Sequence, residues 1–188
     1  LLCCGSDGVK QDFQQAMEWL QKAAAQGDAS AQSLIGFMFQ NGTGVPQDYK
    51  QAMEWYQKAA EQGHAVAQFS VGNMFDKGEG VDQDRKQAME WYLKAAAQDH
   101  TPAQCCVGRL LRTGDGGTQD YKQAMEWFLK AAADGEADAH FQIGLMYENG
   151  EGVAKDTQQT LRWLKRAADL GHEEAAAYLD MARGDSSQ

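Results

Sequence analysis

The sequence predicts an all-α fold, an α-solenoid of 36-residue antiparallel helix-turn-helix repeats. Three observations predict it. Five tryptophans, Trp19, Trp55, Trp91, Trp127 and Trp163, stand 36 residues apart. The word Gln-Ala-Met-Glu-Trp closes on the first four of them, at Gln15–Trp19, Gln51–Trp55, Gln87–Trp91 and Gln123–Trp127. Proline occurs only twice in 188 residues and glycine 20 times, so long stretches are free to be helical and their ends are marked. A fixed period of this size is the signature of a stacked array. The chain then reads as one array over 1–188. It holds a partial repeat 1–27, full repeats 28–63, 64–99, 100–135 and 136–171, and a capping helix with tail over 172–188.

Within repeat 64–99 the first helix is expected from Ala65 to Asp76. Ala67, Val71, Met74 and Phe75 recur there at helical spacing and form its core face. Gly72 lies on that helix and recurs as Gly36, Gly108 and Gly144. A mid-helix glycine costs about 1 kcal/mol relative to alanine, so its recurrence at one register implies a close helix–helix approach. A Gly-x-Gly turn follows at Gly42/Gly44, Gly78/Gly80, Gly114/Gly116 and Gly150/Gly152, both glycines permitting positive φ.

The second helix starts after Asp12, Asp48, Asp84 or Asp120, each with Gln three residues on, the pattern of a capping box. In repeat 28–63 its apolar set is Tyr49, Ala52, Met53, Tyr56, Ala59 and Ala60, widened by Trp55. The tryptophans are therefore expected in the core. Glu54/Lys58, Glu18/Lys22, Glu90/Lys94 and Glu126/Lys130 have the favourable i,i+4 order. Gly63, Gly135 and Gly171 close this helix, and Asp99 stands in that place once. A stripe this wide needs two neighbours, which is why no repeat buries its apolar face alone. After 171, Ala175–Met181 reads as a lone first helix capping the stack, and Gly184–Gln188 as a frayed tail.

The consensus A-x-A-Q-x-x-x-G-x-M-F-x-x-G-x-G-V-x-Q-D-Y-K-Q-A-M-E-W-Y-x-K-A-A-x-Q-G-H resembles the Sel-one-like repeat family, helical hairpins related to tetratricopeptide repeats. Asp28–Gly63 matches best, and the resemblance covers essentially the whole chain. The departures are Gly117 in place of Val, Leu164 in place of the second aromatic, and Asp180 where Gly is expected. The resemblance implies a right-handed superhelix with a concave face made by the first helices. It also implies scaffold or adaptor roles through protein contacts, without a shared ligand. Some secreted members carry a cysteine pair in every repeat. Here the cysteines are the vicinal pairs Cys3–Cys4 and Cys105–Cys106, which do not suit ordinary disulfide geometry. A reducing, intracellular location is expected. Leu1 aligns with Phe37 inside a first helix, so the chain reads as part of a longer array whose open N-terminal repeat could pair with another chain.

Catalytic, metal and cofactor chemistry find no foothold. The formal charge of −10 (17 Lys and Arg against 27 Asp and Glu) argues against nucleic acid and anionic membrane as partners. No apolar run reaches the length of a membrane span. His64, His100 and His172 share one repeat position in separate loops, and His140 stands where Gln32, Gln68 and Gln104 stand. None has metal-ligand spacing. No nucleophile–base grouping stands out.

What varies between repeats is one stripe of the first helix. It collects Leu34, Phe37 and Asn41, then Ser70, Asn73 and Lys77, then Cys106, Arg109 and Thr113, then Gln142, Leu145 and Asn149. On the family's geometry these line the concave face. Phe37 and Leu145 are the expected apolar anchors and Arg109 the charged one. Repeat 100–135 is neutral because it holds Arg109 and Arg112, which suits an acidic peptide. The expected function is a non-catalytic scaffold binding a peptide or protein on this stripe. The alternatives are a spacer within a longer array and an accessory subunit of an enzyme assembly.

Overall fold

The computed structural model describes residues 13–185. Its regular structure is ten helices: α1 (Phe13–Ala25), α2 (Ala29–Asn41), α3 (Tyr49–Glu61), α4 (Ala65–Lys77), α5 (Arg85–Ala96), α6 (Thr101–Thr113), α7 (Tyr121–Ala133), α8 (Ala137–Asn149), α9 (Thr157–Asp169) and α10 (Glu173–Asp185). The protein is an all-α solenoid. Two compact units divide the chain, Leu1–Ala95 and Ala96–Gln188. In the first, α2 packs on α1 and α3, and α3 packs on α4. In the second, α6 to α10 pack each on the next. The expectations for Cys3, Cys4, Asp12 and an open N-terminal repeat lie outside the described residues. The expected tail is helical as far as Asp185, and 186–188 lie outside them too.

The first helices end where a glycine turns left-handed. Gly42, Gly78, Gly114 and Gly150 take φ of 67, 73, 80 and 74° and donate their N–H to the carbonyls of Met38, Met74, Leu110 and Met146, an αL cap. The second glycine of each turn has another task. A Cβ on Gly80 would stand 2.7 Å from the Tyr49 backbone, and one on Gly152 would stand 2.8 Å from Tyr121 Cβ. These glycines let the turn lie against the preceding second helix. Repeat 100–135 departs from expectation. There the second left-handed glycine is Gly117 (φ 149°) rather than Gly116, which moves the bend to the position where the other repeats carry valine.

The second helices start at aspartate as expected, but the capping box is only half formed. The Asp48 carboxylate accepts from the Lys50 and Gln51 N–H groups, both at 3.0 Å, and Asp84, Asp120 and Asp156 cap alike. The reciprocal bond would use the aspartate's own N–H. That N–H instead donates to the first helix: Asp48 to Phe39 O, Asp84 to Phe75 O, Asp120 to Leu111 O and Asp156 to Tyr147 O. Gln51 is thereby redirected, and its Nε2 donates to the second Asp48 carboxylate oxygen at 3.2 Å. Each aspartate thus starts one helix and pins it to its partner. The Gln51, Gln87 and Gln123 N–H groups, first among several donors, hold the carboxyls of Asp48, Asp84 and Asp120 below the ordinary range.

Second helices end at Gly63, Gly135 and Gly171 with φ of 88, 83 and 91°, and Asp99 adopts the same conformation at 57°. Aspartate is among the few side chains that tolerate it.

The core side chain of the second helix is not the tryptophan. It is the next residue: Tyr56, Tyr92, Phe128 and Leu164, each at most 2% exposed. Trp19 is 59% exposed, and Trp55, Trp91, Trp127 and Trp163 are half-buried, which corrects the expectation of a tryptophan core. A lysine covers four of the rings. Lys22, Lys58, Lys94 and Lys130 place Nζ 4.7, 4.2, 3.7 and 4.2 Å from the tryptophan three residues earlier, a cation–π arrangement.

The recurrent first-helix glycines receive the buried rings. A Cβ on Gly36, Gly72 or Gly108 would lie 2.7–2.8 Å from an atom of Tyr56, Tyr92 or Phe128, and one on Gly144 would lie 2.9 Å from Leu164. The close approach read from the sequence is therefore glycine to side chain.

Candidate functional site

Within the first unit, the stripe presents large apolar groups to solvent. Leu34 is 52% exposed and Phe37 51%, both on α2, and Val66, one turn before the stripe residue Ser70 on α4, is 50% exposed. The same helices bury Ile35 and Val71 completely, so these three belong to faces that the core does not use. The polar members are largely occupied. Asn41 Nδ2 donates to Phe37 O at 2.9 Å and Ser70 Oγ to Val66 O at 2.9 Å. Asn73 Oδ1 accepts the Tyr92 hydroxyl at 2.7 Å, so it tethers α5 to α4. Lys77 is exposed at the end of α4.

In the second unit the stripe is more committed. Cys106, Arg109 and Leu145 are half-buried. Thr113 Oγ1 donates to Arg109 O at 3.2 Å, and Asn149 Nδ2 donates to Glu151 at 3.3 Å. Gln142 accepts from Arg112 Nη1 at 2.6 Å and donates to Asp138 at 3.1 Å. Arg112 also pairs with Glu151 through Nε at 2.6 Å, both side chains 19% exposed. Arg112 is therefore taken up inside the fold, although it contributed to the neutral charge that suited an acidic peptide.

The histidine position has a function the sequence reading missed. His64, His100 and His172 are helix N-caps. Their Nδ1 atoms accept the N–H of Ala67, Ala103 and Ala175 at 3.3, 3.3 and 3.2 Å. Asp28 does the same for Ala31 at 2.8 Å, and that was the signal available in the sequence. An accepting Nδ1 carries no proton. Protonation would break the bond and set a cation on the positive end of a helix. Burial holds His100 below the usual histidine value. The fold thus favours its neutral form, and that stability is present above pH ~6.5 and lost as pH falls from there through the lowered folded value. His100→Asp should raise the urea midpoint more at pH 5.5 than at pH 8. An equal change at both would exclude the linkage.

One grouping resembles catalytic machinery. Cys105 Sγ donates to Asp138 Oδ2 at 3.2 Å, and His172 Nε2 lies 3.6 Å from Asp138 Oδ1. The order is wrong for a nucleophile, because the thiol meets a carboxylate rather than the imidazole. Burial and then the Asp138 charge push the thiol pKa up, which disfavours the reactive thiolate. Among the described residues no His, Cys, Asp and Glu grouping could hold a metal ion.

A buried amide completes the picture. Gln32 Nε2 donates to Ala24 O at 3.3 Å, and its Oε1 accepts from Gln62 at 2.7 Å. In repeat 100–135 Gln104 is as buried, but its Oε1 has no donor. The residue in the place of Gln62 there is Asp134, whose carboxylate cannot donate.

No helix among the described residues is long and apolar enough to cross a membrane. A family model described as Sel1 repeat matches residues 1–28, 29–64, 65–100, 101–136 and 137–172, one residue out of step with the boundaries read from the tryptophans. No curated protein matches the chain. A Sel1 repeat protein from Oxalobacter formigenes is 37% identical, covers 90% of this chain and 69% of its own, and superposes with a TM-score of 0.84. The protective antigen c5321 of uropathogenic Escherichia coli, which displays an SLR fold, is 33% identical with a TM-score of 0.86. That match covers 91% of this chain and 37% of the antigen, so the chain spans little more than a third of the antigen's length. Cysteine-rich protein B of Helicobacter pylori shares the fold alone, at 22% identity, a TM-score of 0.55, and 72% and 97% of the two chains. Sel1 repeat proteins generally mediate protein–protein interaction and are typically non-catalytic scaffolds. With five consecutive repeats matched over residues 1–172 and two solved relatives above 30% identity, the chain belongs to the Sel1 repeat family.

Proposed function

We propose that this chain is a non-catalytic scaffold that binds a peptide or protein segment on the variable stripe of its first helices. One observation carries the reading: Leu34, Phe37 and Val66 stay about half exposed on helices that bury Ile35, Met38, Val71, Met74 and Phe75. Leu34 and Phe37 lie one turn apart on α2, and large apolar groups left exposed together are a mark of interaction sites. The committed side chains narrow the contact. Asn73 and Gln142 hold the fold together and Arg112 is ion-paired, which leaves Phe37 and Leu34 as the anchors in the first unit. The buried thiol and the histidine caps support a role without catalysis.

The test is affinity capture with the full chain beside Phe37→Ala/Arg109→Glu, both checked by circular dichroism. The expected result is a set of partners that the double variant loses at unchanged helicity. Capture identical in both would place the contact elsewhere. Capture of nothing by either would favour the spacer role.

A further inference from the structure

The last full repeat carries a charge inversion that the stripe does not explain. Glu18, Glu54, Glu90 and Glu126 each precede a repeat tryptophan, and the residue before Trp163 is Arg162. Four residues on, where the other repeats carry the ring-covering lysine, stands Arg166. A self-compensating Glu/Lys pair has thus become two arginines one helical turn apart on α9, bracketing a half-buried tryptophan. Both are exposed, and neither has an ion-pair partner among the described residues.

These side chains border two adjoining hollows. One of about 270 Å³ is lined by Leu129, Ala132, Ala133, His140, Trp163 and Arg166. A smaller one of about 170 Å³ is lined by Gln159, Arg162, Trp163 and Arg166. No carboxylate lines either, in a chain of net charge −10. His140 is a second, independent pointer. It is 4% exposed, and its Nδ1 lies 2.9 Å from Glu136 O, so Nδ1 bears the proton and Nε2 keeps a lone pair. Its ring is tilted against Trp163 at 5.4 Å, and Nε2 has no hydrogen-bond partner among the described residues. The larger hollow therefore offers an apolar and aromatic wall, an acceptor on a buried histidine ring and a guanidinium rim.

We propose that this hollow is a second docking site, for an acidic peptide segment that carries an apolar side chain beside its carboxylates. The carboxylate lies between Arg162 and Arg166, where guanidinium forks suit it. The apolar side chain rests on Trp163 and Leu129, and a backbone N–H of the peptide donates to His140 Nε2. The site lies on the second-helix side of the second unit and does not depend on the stripe.

The probe is a fluorescein-labelled, end-capped hexapeptide, Asp-Glu-Leu-Phe-Glu-Asp, titrated with the full chain by fluorescence anisotropy. Saturable binding is expected. R162E restores the glutamate of the other four repeats, so the fold should tolerate it, and it should weaken binding at least ~10-fold, because one charge-assisted contact is replaced by a repulsion. R166Q should weaken it by a smaller factor. Arg109→Glu should leave binding unchanged, which separates this site from the stripe. Absence of saturable binding, or equal affinity for R162E at wild-type helicity, would overturn the proposal. So would equal binding of a peptide with lysine at the acidic positions. Displacement by inorganic phosphate at the peptide's own concentration would reduce the site to a simple anion site and overturn the peptide assignment.

Discussion

Phe128→Ala is expected to cost about 3–5 kcal/mol of stability, the range for removing a fully buried aromatic side chain. The neighbouring Trp127→Ala should cost about 1–2 kcal/mol, from partial burial and a lost cation–π contact. The ordering is the informative part, because the tryptophan is the residue that recurs at every repeat. Phe128 is 0% exposed and packs among Ala124, Ala131, Ile143 and Met146. Its ring faces Gly108, whose lack of a side chain makes room for it. With the ring gone, the nearest first-helix residue has nothing to move into the space, so the cavity persists. Trp127 is half-buried, its ring covered by Lys130 at 4.2 Å, and water replaces that cover at little cost. Urea denaturation followed by circular dichroism reads both variants. Equal losses would mean that the tryptophan holds the repeats together after all.

That contrast also shows what the sequence exposes and what it hides. The 36-residue period, the helix starts at aspartate and the helix ends at glycine were legible, because each rests on local backbone chemistry that recurs in every copy. The tryptophan was misread because its recurrence was taken as burial. Burial belongs instead to the following position, which varies as Tyr56, Tyr92, Phe128 and Leu164. Cores accept such exchanges when volume and pattern are kept, so the deepest position need not be the most repetitive one.

Two polar residues of the stripe also have a structural task that their recurrence does not show. Variation placed Asn73 and Gln142 on the partner-binding stripe, and in the structure Asn73 also accepts the Tyr92 hydroxyl and Gln142 also accepts from Arg112. Partners 19 and 30 residues apart leave no local mark in the sequence. Where the partner keeps a hydroxyl, as in Tyr56 with Gln40 at 2.9 Å, the first helix supplies an acceptor. Burial pushes that hydroxyl up to about pKa 12, so it stays a donor throughout the accessible pH range. The histidine caps were hidden because histidine is not a favoured N-cap residue, although Asp28 at the same repeat position already shows what the position requires.

Gly72→Ala is the second large effect expected, and its sign is the reverse of what helix propensity implies. In a helix interior alanine is favoured over glycine by about 0.5–1 kcal/mol. Here the added Cβ would stand 2.7 Å from Cδ1 and Cε1 of Tyr92 and 3.3 Å from the Ala88 carbonyl oxygen. Tyr92 cannot swing aside freely. It is 0% exposed, its hydroxyl is held by Asn73 at 2.7 Å, and its ring lies 5.8 Å from that of Phe69. The Ala88 carbonyl is backbone within α5, so relief requires the two helices to part. Overpacking of this kind typically costs 1–3 kcal/mol, which outweighs the propensity gain and leaves a net loss of about 1–2 kcal/mol. Tyr92→Leu reduces the obstruction on the facing side, as Leu164 does opposite Gly144. In that background the Gly72→Ala penalty should shrink by about 1 kcal/mol, a coupling within the range for residues in direct contact. Denaturation midpoints of the two single variants and the double close this cycle. Strict additivity would show that the glycine is needed for something other than the ring it receives.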